Sequence, residues 1–212
     1  MYAKYIKRPI GLVLSFVAIS VLSPVFLFLI ILGAIKMKGN PFFTQLRPGK
    51  DSKVFRLIKF RTMTNERDKD GELLPDTVRL TKYGKFLRST SLDELPELFN
   101  ILIGDMAIIG PRPLLVKYLP YYDETQKHRH DIRPGLTGYA QAYGRNAIGW
   151  DKRLAMDVEY VNNISFFGDI KIIFATVKSV LKREGISSET SATMEDFVDY
   201  VNSKKSRERI EV

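Results

Sequence analysis

The chain has 212 residues, 33 lysines and arginines against 24 aspartates and glutamates, a formal charge of +9, and no cysteine. That length holds one domain with a sizeable core plus an anchor, and the charge suits anionic lipid head groups, nucleic acid or phosphorylated small molecules. Missing thiols exclude disulfides and thiol catalysis, and His128 and His130 alone are too few for a histidine triad or multi-histidine zinc site, so carboxylates, cations and hydroxyls must carry any chemistry.

From Pro9 to Ile35 no residue is charged. As a straight helix this run would be about 40 Å long, against about 30 Å for a hydrocarbon core. It is too long for a signal peptide and no small-residue cleavage site follows it. Ser23-Pro24 lies at its middle. Pro24 removes a backbone bond and Ser23 can back-bond one turn earlier, so a kink is expected there. Lys4, Lys7 and Arg8 precede the run and Lys36 and Lys38 follow it, so the positive-inside rule gives no clear orientation for a span. Sequence physics leaves two topologies open, a spanning helix and a helix that bends and exits on the side it entered.

Asn40 to Met63 reads as a hairpin, with Phe42-Phe43-Thr44 in one strand, a turn at Arg47 to Asp51, and a second strand from Val54 to Met63. Lys59 and Arg61 share a face of the second strand, as edge guards or as a cationic wall for phosphates. Thr64 to Pro75 is polar. Its Asp68-Lys69-Asp70-Gly71 suggests an Asp-x-Asp metal motif or a calcium loop, but Arg79 stands where that loop needs Glu, and a solvated loop is the simpler reading. Thr81 to Ser89 reads as a short basic helix.

Ser91-Leu92-Asp93-Glu94-Leu95-Pro96 is the candidate chemical centre, with Arg88 before it and Arg112 after it. Ser91 with Glu94 also fits a capping box that needs no catalysis, although Pro96 sits better as a first helical residue. Either register puts both carboxylates near a helix N-terminus, which favours their ionised form. Arg112 is pinned between Pro111 and Pro113 on a stiff backbone suited to aiming a guanidinium at phosphate. Tyr118 to Arg129 reads as a polar, aromatic helix. Arg133-Pro134-Gly135-Leu136-Thr137-Gly138-Tyr139 opens a glycine loop ending at Tyr143-Gly144-Arg145-Asn146, where a backbone could approach a ligand; it is not a P-loop. Asp151 to Asn162 is expected to be helical, carrying Asp157 and Tyr160. Asp169 to Arg183 is an amphipathic helix with Ile170, Ile173, Phe174, Val177 and Val180 in one stripe and Gly185 as its stop, covering the core or lying on a membrane. The polar remainder carries a possible short helix capped by Thr193 and a frayed end.

The order of the basic-flanked apolar segment, Lys59-Phe60-Arg61-Thr62-Met63, the Ser91 to Pro96 stretch, Gly110-Pro111-Arg112-Pro113 and Arg133 to Gly138 resembles the bacterial sugar transferases, the monotopic phosphoglycosyl transferases. Among them the chain is most similar to the small forms that initiate bacterial N-linked protein glycosylation. The resemblance implies transfer of a sugar-1-phosphate from a UDP-sugar, UDP-N,N'-diacetylbacillosamine by that likeness, to undecaprenyl phosphate with release of UMP. It makes Asp93 a covalent nucleophile, requires Mg²⁺ at Asp93 and Glu94, and gives Glu94 metal or proton handling. Lys59, Arg88, Arg112 and Arg145 become phosphate and nucleotide contacts, with Asp157 a supporting carboxylate.

It further implies a mainly α fold with a small β-hairpin. Residues 1–38 would form a re-entrant membrane helix broken at Ser23-Pro24, residues 39–185 a compact cytoplasmic catalytic domain with interfacial amphipathic helices, and residues 186–212 a polar extension. The expected location is the cytoplasmic face of a bacterial inner membrane, among phospholipids and other glycan-pathway enzymes, without nucleic acid. Two rivals stand beside this reading: a metal-dependent glycosyltransferase using Asp68 and Asp70 and leaving UDP, and a membrane-tethered nucleic-acid or scaffold protein.

Overall fold

The uncharged run forms one long helix in the computed structural model of the protein, which describes residues 1–144, 148–181 and 195–210. After a π-helical turn at Tyr2–Ile6, helix α1 extends over Lys7–Lys36 with Pro24 inside it. Proline cannot donate to the carbonyl four residues back. Here the Ser23 hydroxyl donates to that same oxygen, Ser20 O, at 2.8 Å. The orphaned acceptor is satisfied, and the helix spans Ser23-Pro24, the pair at which the break is expected.

One face of α1 is covered over most of its length. Gly11, Ser15, Phe26, Leu29 and Gly33 are buried, and Ala18, Ile19 and Leu22 pack on the core between them. That spacing of three and four residues makes a single stripe. Phe16, Val21, Leu27, Phe28, Ile31 and Ile35 remain exposed. Both ends are fastened to the rest of the chain. Arg8 donates to Ile101 O and Leu102 O at 2.5 and 3.2 Å, capping the C-terminus of α4 (Glu97–Ile103) with positive charge. Lys7 bonds Asp169 and the Tyr160 hydroxyl, each at 2.5 Å. Toward the other end, the Tyr83 hydroxyl donates to Leu29 O at 3.3 Å and Phe26 packs on Phe60 and Phe99.

The hairpin forms as expected, with β1 (Phe42–Pro48) antiparallel to β2 (Val54–Phe60) and Phe42 opposite Phe60. Its turn lies at Gly49–Lys53, where Asp51 and Ser52 take left-handed φ of 54° and 58°. Asn100, fully buried on α4, accepts from Ile58 N at 3.1 Å and donates to Arg56 O at 2.8 Å. It thus occupies the outer edge of β2 and sets where Lys59 sits. A short α2 (Asp76–Arg79) precedes α3 (Lys82–Thr90), which Thr81 caps through Gly84 N at 2.9 Å.

Two expectations are revised. The glycine loops pair with each other, as β3 (Ala107–Ile109) runs parallel to β4 (Gly135–Thr137). Gly110 N donates to Thr137 O at 2.9 Å and Gly135 N to Pro111 O at 3.0 Å. A Cβ on Gly135 or Gly138 would overlap the Gly110 backbone, so these glycines serve the approach of two loops to one another. In Tyr118 to Arg129 only α5 (Glu124–Lys127) is α-helical, between 3₁₀ turns at Val116–Tyr121 and His128–His130. Pro120 sits inside the first turn, where it withholds a donor that a longer helix would need.

Then come α6 (Tyr139–Tyr143), α7 (Trp150–Asn162) and α8 (Phe166–Leu181). On α8 the inward residues are Asp169 and Ile172, while Phe174, Val177 and Val180 of the expected stripe are exposed. Only the Ile173 side of the stripe therefore packs on the core. The extension forms α9 (Phe197–Ile210). Phe197 is buried against Tyr118, Tyr122 and Trp150, which anchors a segment expected to be polar and frayed. Gly185 and Thr193 lie outside the described residues.

Gly84 lets α3 press against the chain just after β2, and an added Cβ would overlap Thr62 O. Gly84→Ala should cost about 1–3 kcal/mol through overpacking and move α3, with Arg88, off Thr62. The expected outcome is a lower denaturation midpoint in urea titration.

Candidate active site

The link between α3 and α4 positions the dyad. α3 ends at Ser91, a non-glycine residue held left-handed at φ 56°, ψ 17°. A 3₁₀ turn over Leu92–Glu94 follows. Ser91 makes no side-chain capping bond, so the capping-box reading is corrected. Pro96 stands just before α4, within a residue of its expected place. Leu92 and Leu95 pack on the core that includes Phe26 and Leu29 of α1. Asp93 and Glu94 instead line a cavity of about 690 Å³.

Glu94 and Asp93 live in different electrostatic conditions. One oxygen of Glu94 is 2.6 Å from Lys59 Nζ and 2.7 Å from Arg112 Nη2. Burial opposes ionisation of Glu94, but Arg112 and Lys59 outweigh it and hold its pKa well below the usual carboxylate range. Asp93 has no direct hydrogen bond or ion pair among the described residues. Burial and the neighbouring Glu94 charge push it up to about 6, against the pull of Lys59, Arg112 and Arg88. It is mostly ionised at neutral pH, and its oxygens are not committed to a side chain.

Glu97 was not singled out from the sequence. It is 3% exposed, with its carboxylate 3.0 Å from Lys59 Nζ, and burial pushes it up to about 7. Its place three residues after Glu94 was the available signal, since that spacing stacks two side chains on one helical face. The cavity also takes in Arg47, Arg61, Arg79 and Arg88, so six cations face Asp76, Asp93 and Glu94. Asp76 is already paired with Arg79 at 2.5 Å, and Arg88 Nε donates to Thr62 Oγ1 at 3.1 Å.

The structure thus brings together Asp93, Glu94, Lys59, Arg88 and Arg112. Asp157 stands one layer back. It is buried on α7 and takes Arg129 at 2.7 Å. Arg129, only 2% exposed, also donates to Arg112 O at 2.7 Å. Asp157 therefore acts through Arg129 on the backbone that carries Arg112. Arg129 too went unnoticed in the sequence, because a buried arginine has no periodic signature. Arg145 lies outside the described residues. Asp68 does not reach the cavity; its carboxylate accepts from the backbone of Asp70 and Glu72 at 3.0 and 2.9 Å, which is turn chemistry.

A second cavity, of about 490 Å³, opens on the far side of the dyad toward α6 and α8 and shares Ser91, Glu94 and Arg112 with the first. Among the described residues no group of three or more histidines, cysteines or carboxylates could cage a metal ion.

The bacterial sugar transferase family model matches residues 2–183. The chain belongs to the bacterial sugar transferase family. This transferase is 50% identical to the uncharacterized sugar transferase EpsL of Bacillus subtilis, over 91% of the chain and 95% of that relative. It is 35% identical to the undecaprenyl-phosphate galactose phosphotransferase of Salmonella typhimurium, and 39% identical to the UDP-glucose:undecaprenyl-phosphate glucose-1-phosphate transferase of Klebsiella pneumoniae. These two alignments cover 86% and 81% of the transferase, but only 42% and 39% of the relatives.

Breaking one partner of a buried ion pair leaves the other charge stranded, at about 3–5 kcal/mol. Arg129→Met should show that loss in denaturant titration and should depress activity by freeing the Arg112 loop. Arg129→Met with Asp157→Leu should recover much of the stability but not the activity. Full activity in the double variant would separate the pair from catalysis.

Proposed function

We propose that this transferase moves a sugar-1-phosphate from a UDP-sugar to undecaprenyl phosphate in two steps, through a sugar-phosphoryl group on Asp93. The observation that carries this reading is the uncommitted Asp93 carboxylate in a cavity with six cations. The relatives from Salmonella and Klebsiella, named for transfer to undecaprenyl phosphate, supply the substrate class. In the first step an Asp93 oxygen attacks the β-phosphorus. The bond from that phosphorus to the bridging oxygen breaks, and UMP leaves with the electron pair. In the second, an oxygen of the lipid phosphate attacks the same phosphorus and the Asp93 carboxylate is released. With all phosphates fully ionised, neither step consumes a proton.

Glu94 therefore has no proton to carry, and its cation-locked carboxylate suits electrostatic duty. It holds Lys59 and Arg112 where phosphate charge redistributes, the kind of fixed positioning on which phosphoryl transfer depends. Mg²⁺ usually binds through one or two carboxylates plus substrate phosphates. The free Asp93 oxygens and the second Glu94 oxygen fit an ion of that kind entering with the diphosphate, where it would neutralise phosphate charge. The donor expected from the resemblance is UDP-N,N'-diacetylbacillosamine; the two relatives, by their names, take galactose and glucose phosphates.

The same proposal places the protein monotopically on the cytoplasmic face of the inner membrane, with α1 re-entrant. Three features support it. A protein-covered stripe along α1 suits a helix embedded beside its domain better than a free-standing span. Its two ends are both tied to that domain. The exposed Phe174 and Val177 on α8 give an apolar face suited to the interface.

Incubation with Mg²⁺ and a UDP-sugar panel without lipid should yield a stoichiometric sugar-phosphate adduct by intact mass, with UMP in solution. Asp93→Asn should abolish both, and release of UDP would refute the reading. Adduct formation requires ionised Asp93, whose pKa is raised to about 6. Its rate should be flat above neutral pH and fall towards tenfold per unit below about pH 6, measured by rapid quench. A rate that rises on acidification would contradict Asp93 as nucleophile.

A further inference from the structure

We propose that the cavity between α6 and α8 is the subsite for the sugar of the donor, with Gln141 as a specificity-determining residue. This rests on the two-step transfer above and adds where each half of the donor lies. The two cavities meet at Ser91, Glu94 and Arg112. Asp93 lines only the cationic one. Attack by Asp93 splits the donor at the β-phosphorus, so the leaving nucleotide and the retained sugar must lie in different directions from it. Phosphates belong with the six cations. The neutral sugar is then left to the other cavity, where Arg112, Arg129 and Arg153 stand with Glu94 and Asp157 and the rest of the lining is uncharged. Leu114, Leu136 and Ala140 offer apolar surface for pyranose C–H faces, and Gln141, Thr176 and Ser179 offer hydrogen-bonding groups.

One acceptor there is left over. Gln141 Nε2 donates to Leu136 O at 3.3 Å, which fixes the amide orientation. Gln141 Oε1 is buried and has no hydrogen-bond partner among the described residues. A buried acceptor without a donor is costly unless a ligand supplies one. Sugar hydroxyls and an acetamido N–H are donors of the required kind. Phosphate oxygens are not, and neither is a polyprenyl chain.

The test compares UDP-glucose, UDP-galactose, UDP-GlcNAc, UDP-GalNAc and UDP-N,N'-diacetylbacillosamine on the full chain in lipid nanodiscs, for the unsubstituted protein, Gln141→Leu and Ser179→Ala. A site built around a hydrogen bond discriminates by loss of that bond. At least one variant should therefore change the ratio of kcat/KM between the best donor and its competitors by about tenfold or more. Inhibition by UMP and the KM for undecaprenyl phosphate should stay within about twofold. Weaker UMP inhibition in step with the donor would put the nucleotide in this cavity and overturn the proposal. A rise confined to the acceptor KM would give the cavity to the lipid and overturn it equally, as would an equal fall for every donor in both variants. UDP as the product of the unsubstituted protein would instead defeat the transfer reading itself, whatever the variants do.

Discussion

The site depends on one half-buried carboxylate shared by two cations. Glu94 draws Lys59 from the end of β2 and Arg112 from the proline-bracketed loop onto a single oxygen, alongside the bonds of Asn100 to the β2 backbone and of Arg47 to Pro113 O. A partly desolvated charge so paired is costly to disturb, which ties the three segments together. The pairing also decides what its neighbour can do. Two carboxylates side by side compete for the same cations. Glu94 takes the direct contacts and Asp93 feels the cations only at a distance, enough to keep it mostly ionised at neutral pH and too little to occupy its oxygens. The nucleophile proposed here needs both conditions, and the ion pairs go to the adjacent residue.

The same turn couples the dyad to the apolar helix. Leu92 and Leu95 share a core with Phe26 and Leu29, while the carboxylates beside them face the cavity. Moving α1 would therefore drag the turn. Arg8 works at the opposite end of α4, holding its terminal carbonyls from α1. The turn that carries the dyad is thus laid along α1 and held to it at both ends of α4.

Much of this was legible in the sequence because it is local. The hairpin, α3, α7 and α8 follow from periodicity and punctuation, and the dyad with Lys59, Arg88 and Arg112 follows from motif order. What stayed hidden depends on pairings distant in the chain. Gly135 and Gly138 look like a ligand loop until Gly110 is seen against them. Nothing near residue 129 announces that its guanidinium spans to residue 157 and to the carbonyl of residue 112. Phe197 reads as a stray aromatic in a polar tail, since the pocket of Tyr118, Tyr122 and Trp150 is assembled from elsewhere. Periodicity also found the α8 stripe without saying which way it faces; an apolar face turned outward obeys the same 3.6-residue rule as one turned inward. Ser23-Pro24 is a local signal of another kind. The residue that weakens the helix is preceded by a hydroxyl that replaces the missing bond.

Charge conservation explains how one cationic cavity can serve a two-step exchange. In the proposed reaction the donor diphosphate, the departing UMP and the incoming lipid phosphate each carry roughly two negative charges at neutral pH. The aspartyl intermediate keeps one of the three charges that donor and Asp93 bring together, and UMP removes the other two. Undecaprenyl phosphate restores them, and the product diphosphate takes them away. The cations therefore meet the same total at each ligand exchange and need not rearrange. Such constancy favours a rigid cradle, and rigidity is what the shared Glu94 oxygen, the two prolines around Arg112 and the buried Arg129 provide.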